Sequence, residues 1–161
     1  MAKLTRKGYE KQMIILETEK QKLNELARNR SEAYSRDGDG THDNPMFHLL
    51  TREYEVLLNK VKKLEEELKN ATIIEDSEID CNSVGIGSVV EVAISSLGEP
   101  EERDTLQIVD SLEASFEEKK ISFQSPVGAL LLGLKEGDER KLKIADNEYI
   151  YKVISIKFDK G

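Results

Sequence analysis

The sequence predicts an α+β protein: a long N-terminal antiparallel coiled-coil hairpin, then a small antiparallel sheet domain with one short helix. Three observations carry this. Apolar residues recur in alternating steps of three and four through two segments separated by a Gly-rich turn. After Asn70-Ala71-Thr72 that period gives way to the alternation of strands. Among the strands, Ser125-Pro126 opens a single short apolar stretch with helix-start chemistry. The expected boundaries are 1–74 for the hairpin with an acidic tip at 37–43, 75–83 for a polar linker, and 84–161 for the sheet domain.

The first helix is read from Tyr9, Met13, Leu16, Lys20, Leu23, Ala27, Arg30 and Tyr34, a seam interrupted by Lys20 and Arg30. The second is unbroken: Phe47, Leu50, Tyr54, Leu57, Val61, Leu64, Leu68 and Ala71. Such heptad seams pack two helices at a shallow angle. Gly38 and Gly40 end the first helix, and Pro45 suits the first turn of the second, with Asn44 or Asp43 as N-cap. A short connection makes the helices antiparallel neighbours. About thirty residues each, at ~1.5 Å per residue, give a reach of roughly 45 Å.

Strands are expected at 88–95, 105–110, 121–125, 139–145 and 149–158. Val90, Val92 and Ile94 alternate, as do Tyr149, Tyr151 and Val153, while Ile154 and Ile156 indicate a bulge or a change of face. The short helix spans 126–134, with Ser125 as N-cap, Pro126 at its first position and Gly137 just beyond its end.

Charged residues are 35% of the 161, and the mean hydropathy of −0.53 suits an exposed coiled coil better than a compact globule. The net charge of −8 is uneven. Residues 1–36 hold nine Lys/Arg against five Glu; residues 77–161 hold ten basic against seventeen acidic groups. A basic first helix beside an acidic body argues against uniform duplex DNA binding and permits a local contact with RNA or phosphate, the alternative being an ordinary solvated helix face. Cys81 is the single cysteine, which excludes an internal disulfide and a cysteine-cluster zinc site. The N-terminus lacks the apolar core of a signal peptide and no apolar run approaches membrane-spanning length, so the expectation is a cytoplasmic protein.

Asp37-Gly38-Asp39-Gly40-Thr41 spells a phosphatase nucleophile motif, yet Glu32-Ala33-Tyr34-Ser35-Arg36 is no buried strand to present it. As a calcium loop the stretch fails too: His42 stands where the turn Gly belongs and His48 where the bidentate Glu belongs. These two histidines lack a third ligand at suitable spacing. No nucleophile–base set and no phosphate-cradling loop is apparent. What remains is a pair of tip acids, Asp39 and Asp43. They are either helix terminators or hard oxygen ligands for a Mg²⁺ held mainly by another protein.

Several segments together resemble the Gre-factor (GreA/GreB) family of bacterial transcript-cleavage factors. Leu4-Thr5-Arg6-Lys7-Gly8-Tyr9-Glu10-Lys11 is similar to the family's opening; the tip carries Gly38-Asp39 and Asp43-Asn44. Leu68-Lys69-Asn70-Ala71-Thr72-Ile73-Ile74 closes the hairpin, and Val84-Gly85-Ile86-Gly87-Ser88-Val89-Val90 enters the body. The most specific stretch is the fifteen residues from Ser125 to Glu139, with its Ser-Pro, Gly and Gly-Asp positions.

The resemblance implies an FKBP-like C-terminal domain docking at the secondary channel of bacterial RNA polymerase, with Ser125, Pro126, Gly128 and Gly133 in the docking signature. It implies that the protein has no cofactor of its own and is not itself an enzyme. Asp39 and Asp43 would reach the Mg²⁺ held by RNA polymerase, supported by Asp37, Asn44 and Phe47, and stimulate hydrolysis of backtracked RNA. The basic first helix would meet the nascent RNA 3′ end, and a monomer is expected. The family has two residues between its tip acids; here Gly40, Thr41 and His42 separate them, and Asp43 stands for a Glu. One residue moves a carboxylate by up to about 3.5 Å, so a channel-occupying inhibitor is the alternative. Further alternatives are a coiled-coil adaptor and an FKBP-like isomerase.

Overall fold

The computed structural model describes residues 1–36 and 43–158. By packing, the chain forms two units: Lys11–Asn70, and residues 1–10 together with 71 onward. The expected break at 74 therefore moves. Residues 1–10 and 71–74, read as parts of the hairpin, pack with the sheet domain. The reason is a pair of strands that three residues each were too few to announce: β1 (Lys3–Thr5) runs parallel to β2 (Thr72–Ile74), with Leu4 opposite Ile73. Leu4 is fully buried there. Within the expected linker, Asp76–Glu78 forms one 3₁₀ turn closed by a reciprocal Glu75–Glu78 capping box.

In the hairpin unit, α1 (Arg6–Arg36, whose first turn belongs to the other unit) lies antiparallel to α2 (Pro45–Lys69). The α2 seam is as read: Val61 and Leu68 are buried, and Phe47, Leu50, Tyr54, Leu57 and Leu64 are half-buried. In α1 the seam is displaced. Gln12, Leu16 and Glu19 are buried, whereas Met13 and Tyr34 are 42% and 48% exposed. Polar Gln12 and Glu19 had the composition of a solvent face. Glu19 tolerates the seam because Lys22 Nζ and Lys60 Nζ donate to its two oxygens at 3.0 and 3.2 Å. Those bonds hold its carboxyl below the usual glutamate range.

The sheet unit has five strands in the order β5-β4-β3-β7-β6. They are β3 (Ser88–Ser96), β4 (Glu102–Val109), β5 (Lys120–Ser122), β6 (Glu139–Ile144) and β7 (Asn147–Phe158). The sheet is mixed rather than wholly antiparallel, because β5 returns beside β4 in the same direction. The bulge is where the β7 pattern put it: Glu91 pairs Ser155 and Val92 pairs Val153, leaving Ile154 between. Val90, Val92, Leu106, Ile108 and Val153 form the core with Leu131 and Leu134 from the α3 segment. The helix α3 is Pro126–Leu131, shorter than expected. Gly133, at φ +82°, makes the left-handed turn after it, and Gly137 belongs instead to the turn before β6.

Candidate functional site

The end of the hairpin is built from the cap outward. Asn44 precedes Pro45 and accepts from Phe47 N through its side chain at 3.0 Å, settling the N-cap in favour of Asn44 over Asp43. The same side chain donates through Nδ2 to the Ala33 carbonyl oxygen at 3.0 Å. Asn44 is 3% exposed. Below it the two helices meet through aromatic groups. Tyr34 and Phe47 have ring centroids 5.4 Å apart, and the Arg30 guanidinium lies 4.4 Å from the centre of the Tyr54 ring. Arg30, which interrupts the sequence pattern, is thus a stacking partner in the seam.

Asp43 is exposed and adopts φ +53°, a left-handed conformation that Asp tolerates better than most residues. Its carboxylate therefore stands in solvent directly before a buried, doubly bonded cap. Asp37 and Asp39, with Gly38, Gly40, Thr41 and His42, lie outside the described residues. Of the expected tip group, the structure brings Asp43, Asn44 and Phe47 together. Sequence reading missed Ala33, whose contribution is a backbone carbonyl and has no residue signature. It underrated Arg30 as an interruption; Tyr34, read as a seam residue, does meet Phe47 across the helices while staying half-exposed.

The second candidate region is the start of α3. Ser125 Oγ accepts from Gly128 N at 3.1 Å and donates to the Ser122 carbonyl at 2.7 Å. Gly128 is buried, and a Cβ there would overlap the Ser122 carbonyl oxygen. Ser125 and Gly128 thus set α3 against the end of β5, Gly133 makes the turn after α3, and Pro126 is exposed. Beside them Phe116, 93% exposed, overhangs a cavity of about 460 Å³ floored by Leu106 and Tyr151. Burial pushes the Tyr151 phenol up.

In the same unit, Glu113 receives Thr5 N and Thr5 Oγ1 at 2.6 and 2.8 Å, and Asp110 receives Lys3 N at 3.0 Å. Burial raises the Glu113 carboxyl above the ordinary range despite those bonds. Among the described residues no three of His, Cys, Asp and Glu are placed to hold a metal ion, and no helix is long and apolar enough to cross a membrane.

The described chain is thus a two-helix unit with an exposed acid beside its cap and a sheet unit with a capped Ser-Pro helix. Residues 76–158 match the C-terminal region of transcription elongation factor GreA/GreB, and the chain belongs to that family. Transcription elongation factor GreA of Thermosipho melanesiensis is 36% identical over 155 residues, covering 96% of this chain and 95% of that one. Transcription inhibitor protein Gfh1 of Thermus aquaticus is 33% identical over 156 residues, with 96% and 95% covered. The solved structure of GreA factor homolog 1 from Thermus thermophilus is 31% identical, with 97% and 98% covered and a TM-score of 0.44.

Proposed function

We propose that this protein acts in the secondary channel of bacterial RNA polymerase, stimulating hydrolysis of backtracked RNA by bringing Asp39 and Asp43 to a Mg²⁺ that the polymerase holds. The observation that carries this reading is the setting of Asp43: an exposed carboxylate on the residue before a cap bonded to both helices. A ligand shared with a second protein needs an accessible oxygen on a fixed backbone. When bound, the metal supplies a water activated for attack on a phosphodiester. The chain's own part is narrower. Asp43 offers two hard oxygens, fewer than the octahedral shell of Mg²⁺ takes, so the remaining ligands come from the polymerase, Asp39 and water.

Docking is assigned to residues 84–161. Ser125, Gly128 and Gly133 act there by shaping the surface, and Pro126 is the member of the signature whose side chain a partner meets. The basic side chains of the first helix are assigned to the nascent RNA 3′ end, and the acting species is a monomer.

A second reading is favoured by the three residues between Asp39 and Asp43: the tip occupies the channel without stimulating cleavage. One experiment separates the readings. The protein is added to a backtracked elongation complex and RNA length is followed. Shortened RNA that restarts supports cleavage stimulation, and deletion of Thr41 then increases it by restoring the family spacing. Blocked nucleotide addition with RNA of unchanged length assigns the inhibitor. No affinity for the polymerase overturns both.

A further inference from the structure

A helix leaves its first N–H groups and its last carbonyls without intrahelical partners. Ala33 is one of the last four residues of α1, and Phe47 is in the first turn of α2. Asn44 serves both deficits at once, donating to Ala33 O and accepting from Phe47 N. Capping α2 needs only the acceptor oxygen. The donor bond spans 11 residues of sequence and adds nothing to the cap; what it fixes is the α2 start relative to the α1 end. The Asn44 carbonyl is engaged as well, by His48 N at 3.2 Å.

Asp43 is the residue before this fixed point. Consecutive Cα atoms are about 3.8 Å apart, so the carboxylate's freedom is that of one residue held in a left-handed conformation. We infer that Asn44 is the positioning residue for the Asp43 carboxylate, acting through its Nδ2 bond to Ala33 rather than through helix capping. The inference rests on the reading of Asp43 as a working acid. It assigns that acid's precision to an uncharged neighbour.

Asn44→Asp separates the two roles, because Asp caps a helix about as well as Asn but has no N–H for Ala33 and turns an oxygen toward its carbonyl. Far-UV circular dichroism and polymerase affinity establish that the variant is folded and bound. Two readouts then decide. In the free protein, the backbone order parameter of Asp43 is expected to fall from about 0.85 to below about 0.6, while the Phe47 amide stays protected from exchange. On backtracked complexes, the effect at saturating factor (cleavage or block, whichever the parent shows) is expected to drop by about tenfold to a hundredfold, since misplacement by ~1 Å costs up to roughly a hundredfold. The half-saturating concentration stays within about twofold of the parent's.

A residue that only supports folding would shift the melting temperature and the half-saturating concentration and leave the saturating effect intact; that result overturns the inference. So does an unchanged Asp43 order parameter. If the parent itself leaves backtracked complexes untouched while Asp43 loosens in the variant, the channel reading fails and the clamp stands. Asn44→Ser, which keeps a cap but reaches less far, is expected to repeat the loosening; a rigid Asp43 there counts against the clamp.

Discussion

In the sheet unit Val90, Val92, Ile108, Leu131 and Val153 have no exposed surface. In the hairpin the best-covered apolar side chains, Leu16, Val61 and Leu68, keep 4–5%, and they share the interior with Gln12 and Glu19. A sheet covered by a helix closes a core from several directions, whereas two helices cover each other along one stripe only. The hairpin therefore holds together through a narrow apolar seam plus specific polar and stacking contacts. The stacking pairs and the Asn44–Ala33 bond lie toward the acid-bearing end, while the Glu19–Lys60 and Lys20–Glu65 pairs lie further along the helices. The sheet unit holds together by volume. The lesson is that substitutions in the two units should differ in kind as well as in size.

The largest effect is expected in the sheet unit. Leu131→Ala should lower unfolding free energy by about 2–5 kcal/mol, the range for a fully buried leucine, measured by urea denaturation of the full chain. Leu64→Ala, at a half-buried seam position, should cost less, about 1–2 kcal/mol. Equal losses at Leu131 and Leu64 would break the distinction between the two kinds of interior.

The two buried glutamates sharpen it through pH. Lys22 and Lys60 lower the Glu19 carboxyl, so its contribution is present above the ordinary value of 4.5 and is lost as pH falls through the depressed folded value. Desolvation dominates at Glu113 and raises it. That contribution is fully present below 4.5 and is lost as pH rises through the elevated folded value. Urea midpoints recorded across this range should show Glu19→Gln removing part of the acid-side loss and Glu113→Gln removing part of the loss on the rising side. The same sign for both would refute the assignment.

Smallest in stability is Asp43→Asn, expected to shift the melting temperature by no more than a surface substitution does. In the backtracked-complex assay it should nonetheless lose most of the parent's effect, because a neutral amide holds Mg²⁺ more weakly than a carboxylate. An unchanged assay would leave Asp43 as a turn residue.

Most of the fold was legible because its signals are local. The α2 seam, Pro45 after Asn44, Ser125-Pro126 and the Ile154 bulge each depend on neighbours within a few residues. Illegible were β1 with β2, which pair across about seventy residues through three positions each, and the parallel placement of β5. The α1 seam was misplaced at Gln12 and Glu19 because a buried carboxylate is tolerable only when distant lysines approach it. Lys60 is 41 residues away.

The same division holds at the candidate site. Sequence alone determined that two helices reverse at an acidic turn, that Asn44 stands at its end, and that a Gre-like Ser-Pro stretch follows. Short-range sterics and hydrogen bonding dictate such features wherever those residues occur. Only the tertiary structure decided that Asn44 also grips the Ala33 carbonyl, that Arg30 stacks on Tyr54, and that Gly128 is glycine because the Ser122 carbonyl fills the space of its Cβ. Each depends on which atoms folding brings together, and where the partner is a carbonyl oxygen, common to every residue, it leaves no mark in sequence.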